Sequence, residues 1–261
     1  MQMPKTSERA VVETQIRQGA RRLCLSNDTV DWLLGRATPR QLDAVAGLID
    51  HELSVREANR RSRLLRKAAF PAMKSFEEFD FADVRLPEGH DADDMRSLAW
   101  IDSAQDYVFY GQTGRGKTHL AIALGLLCIE AGRAVRYFSC AQLVLSLRKA
   151  HDEGRLDAMY ADIAKADLVI LDEFGYIPLD SQGAKLLFQV MSMSYETRSL
   201  IVTTNIEFSK WSVVLADEKL AAAAVDRIIH HGRLVEFGGG SRRVDESLML
   251  GNERKGKQCL R

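Results

Sequence analysis

A glycine, four residues and then Gly-Lys-Thr run from Gly111 to Thr118 as Gly111-Gln112-Thr113-Gly114-Arg115-Gly116-Lys117-Thr118. No other stretch constrains the fold as tightly, because the spacing is that of a phosphate-binding loop. Its glycines let the backbone curl so that successive N–H groups point inward. A helix beginning near Lys117 would turn its positive N-terminal end toward the same point. In that arrangement Lys117 reaches the β and γ phosphates of a nucleoside triphosphate, and the Thr118 hydroxyl ligates magnesium. Such a loop needs a strand before it and a helix after it. Both are legible: Tyr107-Val108-Phe109-Tyr110 reads as a short buried strand, and His119 to Ile129 as an apolar helix.

Strands and helices alternate after the loop. Val135 to Ser139, Leu168 to Leu171, Leu200 to Thr204 and Arg233 to Phe237 read as strands. Ala141 to Ala150, Leu156 to Lys165, Ala184 to Tyr195 and Glu218 to His230, the last closed by Gly232, read as helices. Alternation of this kind predicts an α/β fold, a parallel sheet covered by helices on both faces. With 261 residues, 46% of them hydrophobic, the chain can bury a core of that size.

Upstream of the loop the pattern changes. Residues 1–75 read as a helical, basic N-terminal domain without strand alternation. Thr38-Pro39-Arg40-Gln41 combines an N-cap threonine, a proline at the first helical position and a glutamine at the third, which starts a helix well. Ser54-Val55-Arg56-Glu57 repeats the capping logic and predicts a second helix. That helix carries Arg56, Arg60, Arg63 and Lys67 at helical spacing, with Arg61 and Arg66 beside them, while Val55, Ala58, Leu65 and Ala69 are placed to face a core. A basic stripe of this kind can neutralise DNA phosphates without reading sequence, or can be a solvated face or one docked on the acidic stretch that follows. Residues 76–106 reverse the charge balance and read as an acidic linker, with a turn at Pro87-Glu88-Gly89 and a short helix over Met95 to Trp100. The nucleotide domain is placed at 107–245, and 246–261 as a basic tail around Arg254-Lys255-Gly256-Lys257.

Net charge is zero, so attraction to nucleic acid must come from local asymmetry. The longest apolar run, Leu120 to Ile129, is too short to span a bilayer, and no charged-then-apolar leader opens the chain, so a cytoplasmic location is expected. Cys24, Cys128, Cys140 and Cys259 show no metal-ligand spacing and read as free thiols.

Leu168-Val169-Ile170-Leu171-Asp172-Glu173 runs four apolar residues into two acids, which places both carboxylates at the C-terminal edge of a buried strand, where open α/β sheets bind ligands. Asp172 is expected to hold magnesium, and Glu173 to orient or deprotonate an attacking water. Val202-Thr203-Thr204-Asn205 ends another buried strand, and Asn205 could contact the γ phosphate or that water. Arg227 is a candidate finger toward a neighbouring subunit's nucleotide. The absence of an Asn-Lys-x-Asp sequence favours ATP over GTP. Only residues 238–261 follow Phe237, too few for a large helical lid, so a complete site is expected to need a second subunit.

These residues resemble a family. The runs 111–121, Leu-Asp-Glu-Phe-Gly-Tyr-Ile-Pro-Leu at 171–179, Thr-Thr-Asn at 203–205 and Ala-Ala-Ala-Val-Asp-Arg-Ile-Ile-His-His at 222–231 look like the IstB-like transposition helper ATPases. These belong with the DnaC-type helicase loaders among the AAA+ ATPases. The likeness covers roughly residues 45–245 and includes Arg56-Glu57-Ala58-Asn59-Arg60-Arg61 and Phe79-Asp80-Phe81. It implies a five-stranded parallel sheet in 5-1-4-3-2 order, behind a small all-α N-terminal domain that contacts the partner. It also implies that Gly111, Gln112, Thr113, Gly114, Arg115, Gly116, Lys117, Thr118 and His119 cradle ATP. Thr118 and Asp172 would hold Mg2+, Glu173 the water, Asn205 would be a first sensor and Arg227 a finger in trans. Where the family shows Gly-Glu-Ser-Tyr-Arg, this chain has Gly239-Gly240-Ser241-Arg242-Arg243, which makes Arg243 the second-sensor candidate.

The function expected from all this is an ATPase that forms a ring or spiral on duplex DNA without sequence preference and assists a transposase. Arg148, Lys149 and the Arg56 to Lys67 stripe are the candidate DNA contacts. A replicative helicase loader, a small-molecule kinase and a nucleotide-gated scaffold are the alternatives.

Overall fold

The computed structural model describes residues 5–240. Packing divides the chain into two units with the boundary between Arg63 and Leu64. In the first, α1 (Lys5–Arg22), α2 (Asn27–Leu34) and the opening turns of α3 (Pro39–Ala68) bury Ile16 and Ala20, Val30 and Leu34, and Leu42, Ala46 and Ile49. Each set recurs at three- or four-residue spacing, one face of a helix. Gly19 lets α1 approach α3, since a Cβ there would come 2.3 Å from the Ile49 side chain.

The start of α3 is as expected: Pro39 is its first residue and the Thr38 N–H donates to Gln41 Oε1 at 2.8 Å. A second helix does not begin at Ser54. Its hydroxyl donates backward to the Asp50 carbonyl at 2.9 Å, the bond a serine makes inside a helix rather than at its start. One helix of 30 residues results. Val55, Ala58 and Ala69, expected to face a core, are exposed, and Leu65 is half-buried.

The second unit holds, in chain order, β1 (Val84–Arg85), α4 (Ala92–Ser97), α5 (Ala99–Asp102), β2 (Asp106–Gly111), α6 (Lys117–Glu130), β3 (Val135–Ser139), α7 (Cys140–Asp152), α8 (Leu156–Ile163), β4 (Leu168–Phe174), α9 (Ser181–Ser194), β5 (Ser199–Thr204), α10 (Trp211–Leu215), α11 (Glu218–His231) and β6 (Gly232–Phe237). The sheet order is β1-β6-β2-β5-β4-β3. Its five long strands are parallel and follow the 5-1-4-3-2 order; β1 adds a two-residue antiparallel pairing on β6, Val84 with Phe237 and Arg85 with Glu236. Two residues carry no periodicity, which is why β1 could not be read from the sequence.

Successive strand residues face opposite sides of a sheet. Val169, Leu171, Val108, Leu200 and Val202 enter the core formed with α7, α9, α10 and α11. Leu168, Ile170, Tyr107, Phe109 and Ile201 enter the core formed with α6. Both faces are therefore buried, so these strands are apolar runs rather than alternating ones.

The stretch 76–106 is not a linker. Phe76, Phe79, Met95, Leu98, Trp100 and Ile101 are buried in the α6-side core, and the unit boundary lies upstream of this stretch, not at residue 75. The acids that gave it a linker's composition are exposed, Asp106 excepted, and the large apolar residues between them point inward. The helix expected over Met95 to Trp100 is broken at Leu98 (φ +59), which ends α4 and precedes α5. Asp106, 5% exposed, accepts a hydrogen bond from the Leu200 N–H at 2.7 Å.

Candidate nucleotide site

The parallel register brings the C-terminal ends of three adjacent strands together. Tyr110 of β2 pairs with Thr204 of β5, and Phe174 of β4 pairs with Thr204 from the other side. A crevice at this edge, where the strand order reverses on either side of β2, is where open α/β sheets take ligands. The loop after β2 closes against β6: a Cβ on Gly111 would lie 2.4 Å from the Phe237 carbonyl oxygen, so only glycine fits. Arg115 reinforces that contact by donating to the Phe237 carbonyl at 3.0 Å and to Gln112 Oε1 at 3.0 Å. Gly116 (φ +95) caps α6 without a side chain. The first N–H groups of that helix therefore face the loop with no side-chain acceptor from the cap, which suits an anion.

A cavity of about 570 Å³ opens there, within the range of small-molecule sites. Thr113, Gly114, Arg115, Gly116, Lys117, Thr118 and His119 line it from one side, and Glu173 and Asn205 from strand ends. Gly111, Gln112 and Asp172 are not part of this lining. Lys117 Nζ donates to the Gly111 and Gln112 carbonyls at 2.6 and 2.8 Å, which holds its ammonium over the loop. His119 is tied to the Ser75 carbonyl at 3.0 Å and stacks edge-on with Phe79, their ring centres 5.4 Å apart. Pro71, Ala72 and Lys74 complete the wall from the segment before Phe76.

Asp172 is buried and receives three hydroxyls: Thr118 at 3.0 and 3.1 Å, Tyr137 at 2.5 Å and Thr203 at 2.5 Å. Burial first, and then the Asp172 carboxylate, push the Tyr137 hydroxyl well above the usual tyrosine range, so Tyr137 remains a donor. The same Thr203 hydroxyl accepts the Glu173 N–H at 3.0 Å. The β4–β5 register shifts between Leu171 and Phe174, and Glu173 takes φ +60. That left-handed conformation costs a non-glycine residue roughly 1–2 kcal/mol. It turns Asp172 inward to the hydroxyls and leaves Glu173 exposed in the cavity. Bulges of this kind are frequent beside active sites, where they re-aim a side chain.

The donor set fits a magnesium-bound nucleoside triphosphate. Loop, ammonium and helix end suit phosphates, and the Thr118 hydroxyl beside the Asp172 carboxylate is an all-oxygen pair of the type Mg2+ takes.

Other expected residues lie elsewhere. Arg227 is half-buried on α11 and outside the cavity lining, its guanidinium 4.8 Å from the ring centre of Phe188. Arg148 is paired with Asp180, and Arg56 with Glu52 at 2.7 Å, while Lys149, Arg61, Arg63, Arg66 and Lys67 are exposed. Arg243 and the tail 254–257 lie outside the described residues, as does Cys259. Cys128 and Cys140 are buried free thiols and Cys24 an exposed one. No described helix is long and apolar enough to cross a membrane. Two site residues escaped the sequence reading. Thr203 was visible only as part of a polar strand end, and Tyr137 stands in an unremarkable strand whose pairing with β4 no local pattern reveals.

The fold and the cavity define a P-loop protein of AAA+ type. The chain belongs to the IstB-like ATP binding proteins, whose family profile matches residues 36–249. It is 36% identical over 212 residues to an insertion sequence IS232 protein of Bacillus thuringiensis subsp. berliner named for ATP binding, covering 81% of this chain and 85% of that one. It is 32% identical over 225 residues to the corresponding insertion sequence IS21 protein of Pseudomonas aeruginosa, covering 85% of each. Among solved structures, AMPPCP-bound DnaA from Aquifex aeolicus superposes with a TM-score of 0.53 at 21% identity, covering 72% of this chain and 58% of that one. DnaI superposes with a TM-score of 0.51 at 17% identity, covering 65% of this chain and 90% of that one. At such identities the likeness is one of fold.

Proposed function

We propose that the protein is an ATP hydrolase that binds duplex DNA without sequence preference, assembles with further copies of itself there, and assists the transposase of an insertion sequence in the cytoplasm. The observation that carries the hydrolase reading is Glu173. A strained backbone presents its carboxylate to the cavity directly beside Asp172, and a protein that only held nucleotide would not need it there.

ATP supplies the phosphoanhydride to be cleaved, and Mg2+ neutralises charge on its phosphates. Lys117 exchanges the loop carbonyls for β and γ phosphate oxygens. Thr118 and Asp172 hold the metal, with Tyr137 and Thr203 fixing the carboxylate. Glu173 orients the attacking water and takes its proton, and Asn205 hydrogen-bonds the water or the γ phosphate. DNA is gripped by exposed cations, Lys149 and the Arg61 to Lys67 part of α3, which hold phosphates and read no bases. The insertion-sequence relatives supply the transposition context.

One experiment covers both halves. Fluorescence anisotropy with duplex and single-stranded DNA of equal length and random sequence is run with ATP, a non-hydrolysable analogue or no nucleotide, for the wild type and Glu173→Gln. Nucleotide-dependent binding to duplex is expected. The variant should bind ATP normally, hydrolyse it about 10²–10⁴-fold more slowly and stay on DNA. Normal turnover by the variant sinks the role of Glu173. Preference for single strands points to a helicase loader, and no DNA binding in any state returns the small-molecule kinase to consideration.

A further inference from the structure

At the edge of the sheet opposite the phosphate loop, ligand-bearing side chains from two connections converge. His230 and His231 end α11 just before Gly232 starts β6, and Glu196 lies in the turn between α9 and β5. His231 Nε2 is 2.9 Å from His230 Nδ1 and 3.2 Å from Glu196 Oε1. One ligand atom from each of the three residues lies within 4.8 Å of the others. Zinc bonds of about 2.0–2.1 Å at tetrahedral angles separate neighbouring ligand atoms by roughly 3.3 Å. Two of the three separations are already close to that value.

An imidazole nitrogen carries either one N–H or one lone pair, so His231 Nε2 can donate to His230 or to Glu196 but not to both. Without a metal, the Tyr195 hydroxyl donating to His230 Nδ1 at 3.1 Å and a His231 Nε2–H donating to Glu196 satisfy the outer contacts, but the 2.9 Å approach of the two imidazole nitrogens then carries no proton. A single cation satisfies a nitrogen lone pair from each ring and the carboxylate together. The backbone is shaped for the convergence: Glu196 takes φ +57, and a Cβ on Gly232 would come 2.0 Å from the Ile228 carbonyl, so the chain can leave the helix directly after His231 only with glycine there.

We propose that Glu196, His230 and His231 form a binding site for a divalent transition ion of the zinc class, its remaining position open to water. Two imidazoles and one carboxylate suit zinc and its neighbours rather than Mg2+ or Ca2+, which prefer oxygen donors. Glu196 and His230 are exposed and His231 is half-buried, so the ion enters from solvent. Bound there, it cross-links the connections that lead into β5 and β6, the two strands flanking β2. The site is separate from Thr118 and Asp172 and does not depend on the nucleotide reading.

The test is isothermal titration of the full, chelator-stripped chain with ZnCl₂, excess Mg2+ occupying oxygen sites, alongside thermal melts with and without zinc. The wild type should bind one equivalent that Glu196→Gln and His231→Ala each weaken at least about tenfold, with zinc raising the wild-type Tm and not theirs. His151→Ala, an exposed histidine on α7, should behave as the wild type. Metal-free melts of the variants report whether they fold. Should His231→Ala not fold, Glu196→Gln decides, because it replaces an exposed carboxylate by an amide of the same shape. Undiminished zinc binding in Glu196→Gln, or no saturable binding in the wild type, overturns the site.

Discussion

The Thr203 hydroxyl joins the two acids on which the proposed chemistry rests, donating to Asp172 Oδ1 and accepting the Glu173 N–H. Thr203 is 1% exposed, so both bonds are made out of contact with bulk solvent. Thr203→Val keeps the shape and removes both bonds, leaving Asp172 Oδ1 with the Thr118 hydroxyl alone and the Glu173 N–H without its acceptor. The expected cost is about 1–3 kcal/mol of stability. Because Glu173 is held at positive φ by this contact, kcat for ATP should also fall by roughly a hundredfold, with KM little changed. Urea melts and steady-state phosphate release check both effects, and Thr203→Ser should recover them. A serine variant as impaired as the valine one would show that the hydroxyl is not the cause. From sequence, Asp172 and Glu173 were legible because four apolar residues lead into them. The hydrogen bonds that aim them were not, because Thr203 and Tyr137 lie 31 and 35 residues from Asp172 and meet it only through strand pairing.

At the scale of elements, the long parallel strands were legible because burial on both faces writes them as apolar runs. Composition and local pattern mislead where tertiary context overrides them. Ser54 has the sequence of a cap and the bonding of a helix interior, and 76–106 hides an aromatic core under exposed acids. Asp106, at the start of β2, is the exception among those acids and makes stability depend on pH. Burial outweighs its bond from the Leu200 N–H and the attraction of His231, and raises its carboxyl from the ordinary 3.8 to about 7. Between those values the folded chain keeps a proton that the unfolded chain has released. The stabilisation is therefore complete below about pH 4 and is lost as pH rises through about 7, with a slope of up to about 1.4 kcal/mol per pH unit. Asp106→Asn keeps an acceptor for Leu200 and cannot titrate. Urea unfolding of both proteins from pH 5 to 8 should show the wild type losing stability relative to the variant up to about pH 7, with little further change above. A constant difference across that range would refute the assignment.

For the whole molecule the decisive residue is Arg227. Its guanidinium packs on Phe188 of α9, outside its own chain's cavity, and its Nη1 is buried without a hydrogen-bond partner among the described residues. In the proposed function it acts on the nucleotide of a second copy, and hydrolysis is then tested as a property of the assembly. Arg227→Ala should bind ATP normally and lose turnover on the order of 10³-fold. Lys117→Ala should lose turnover because its own cavity cannot hold the phosphates. Mixed, the two variants form junctions in which the intact cavity of the first meets the intact arginine of the second. Phosphate release on DNA should then rise well above the sum of the separate variants and depend on their ratio. If mixed assemblies form, as shown by co-purification through a tag on one variant, and turnover stays at that sum, Arg227 does not work across a subunit boundary and the loss in Arg227→Ala comes from its packing on α9.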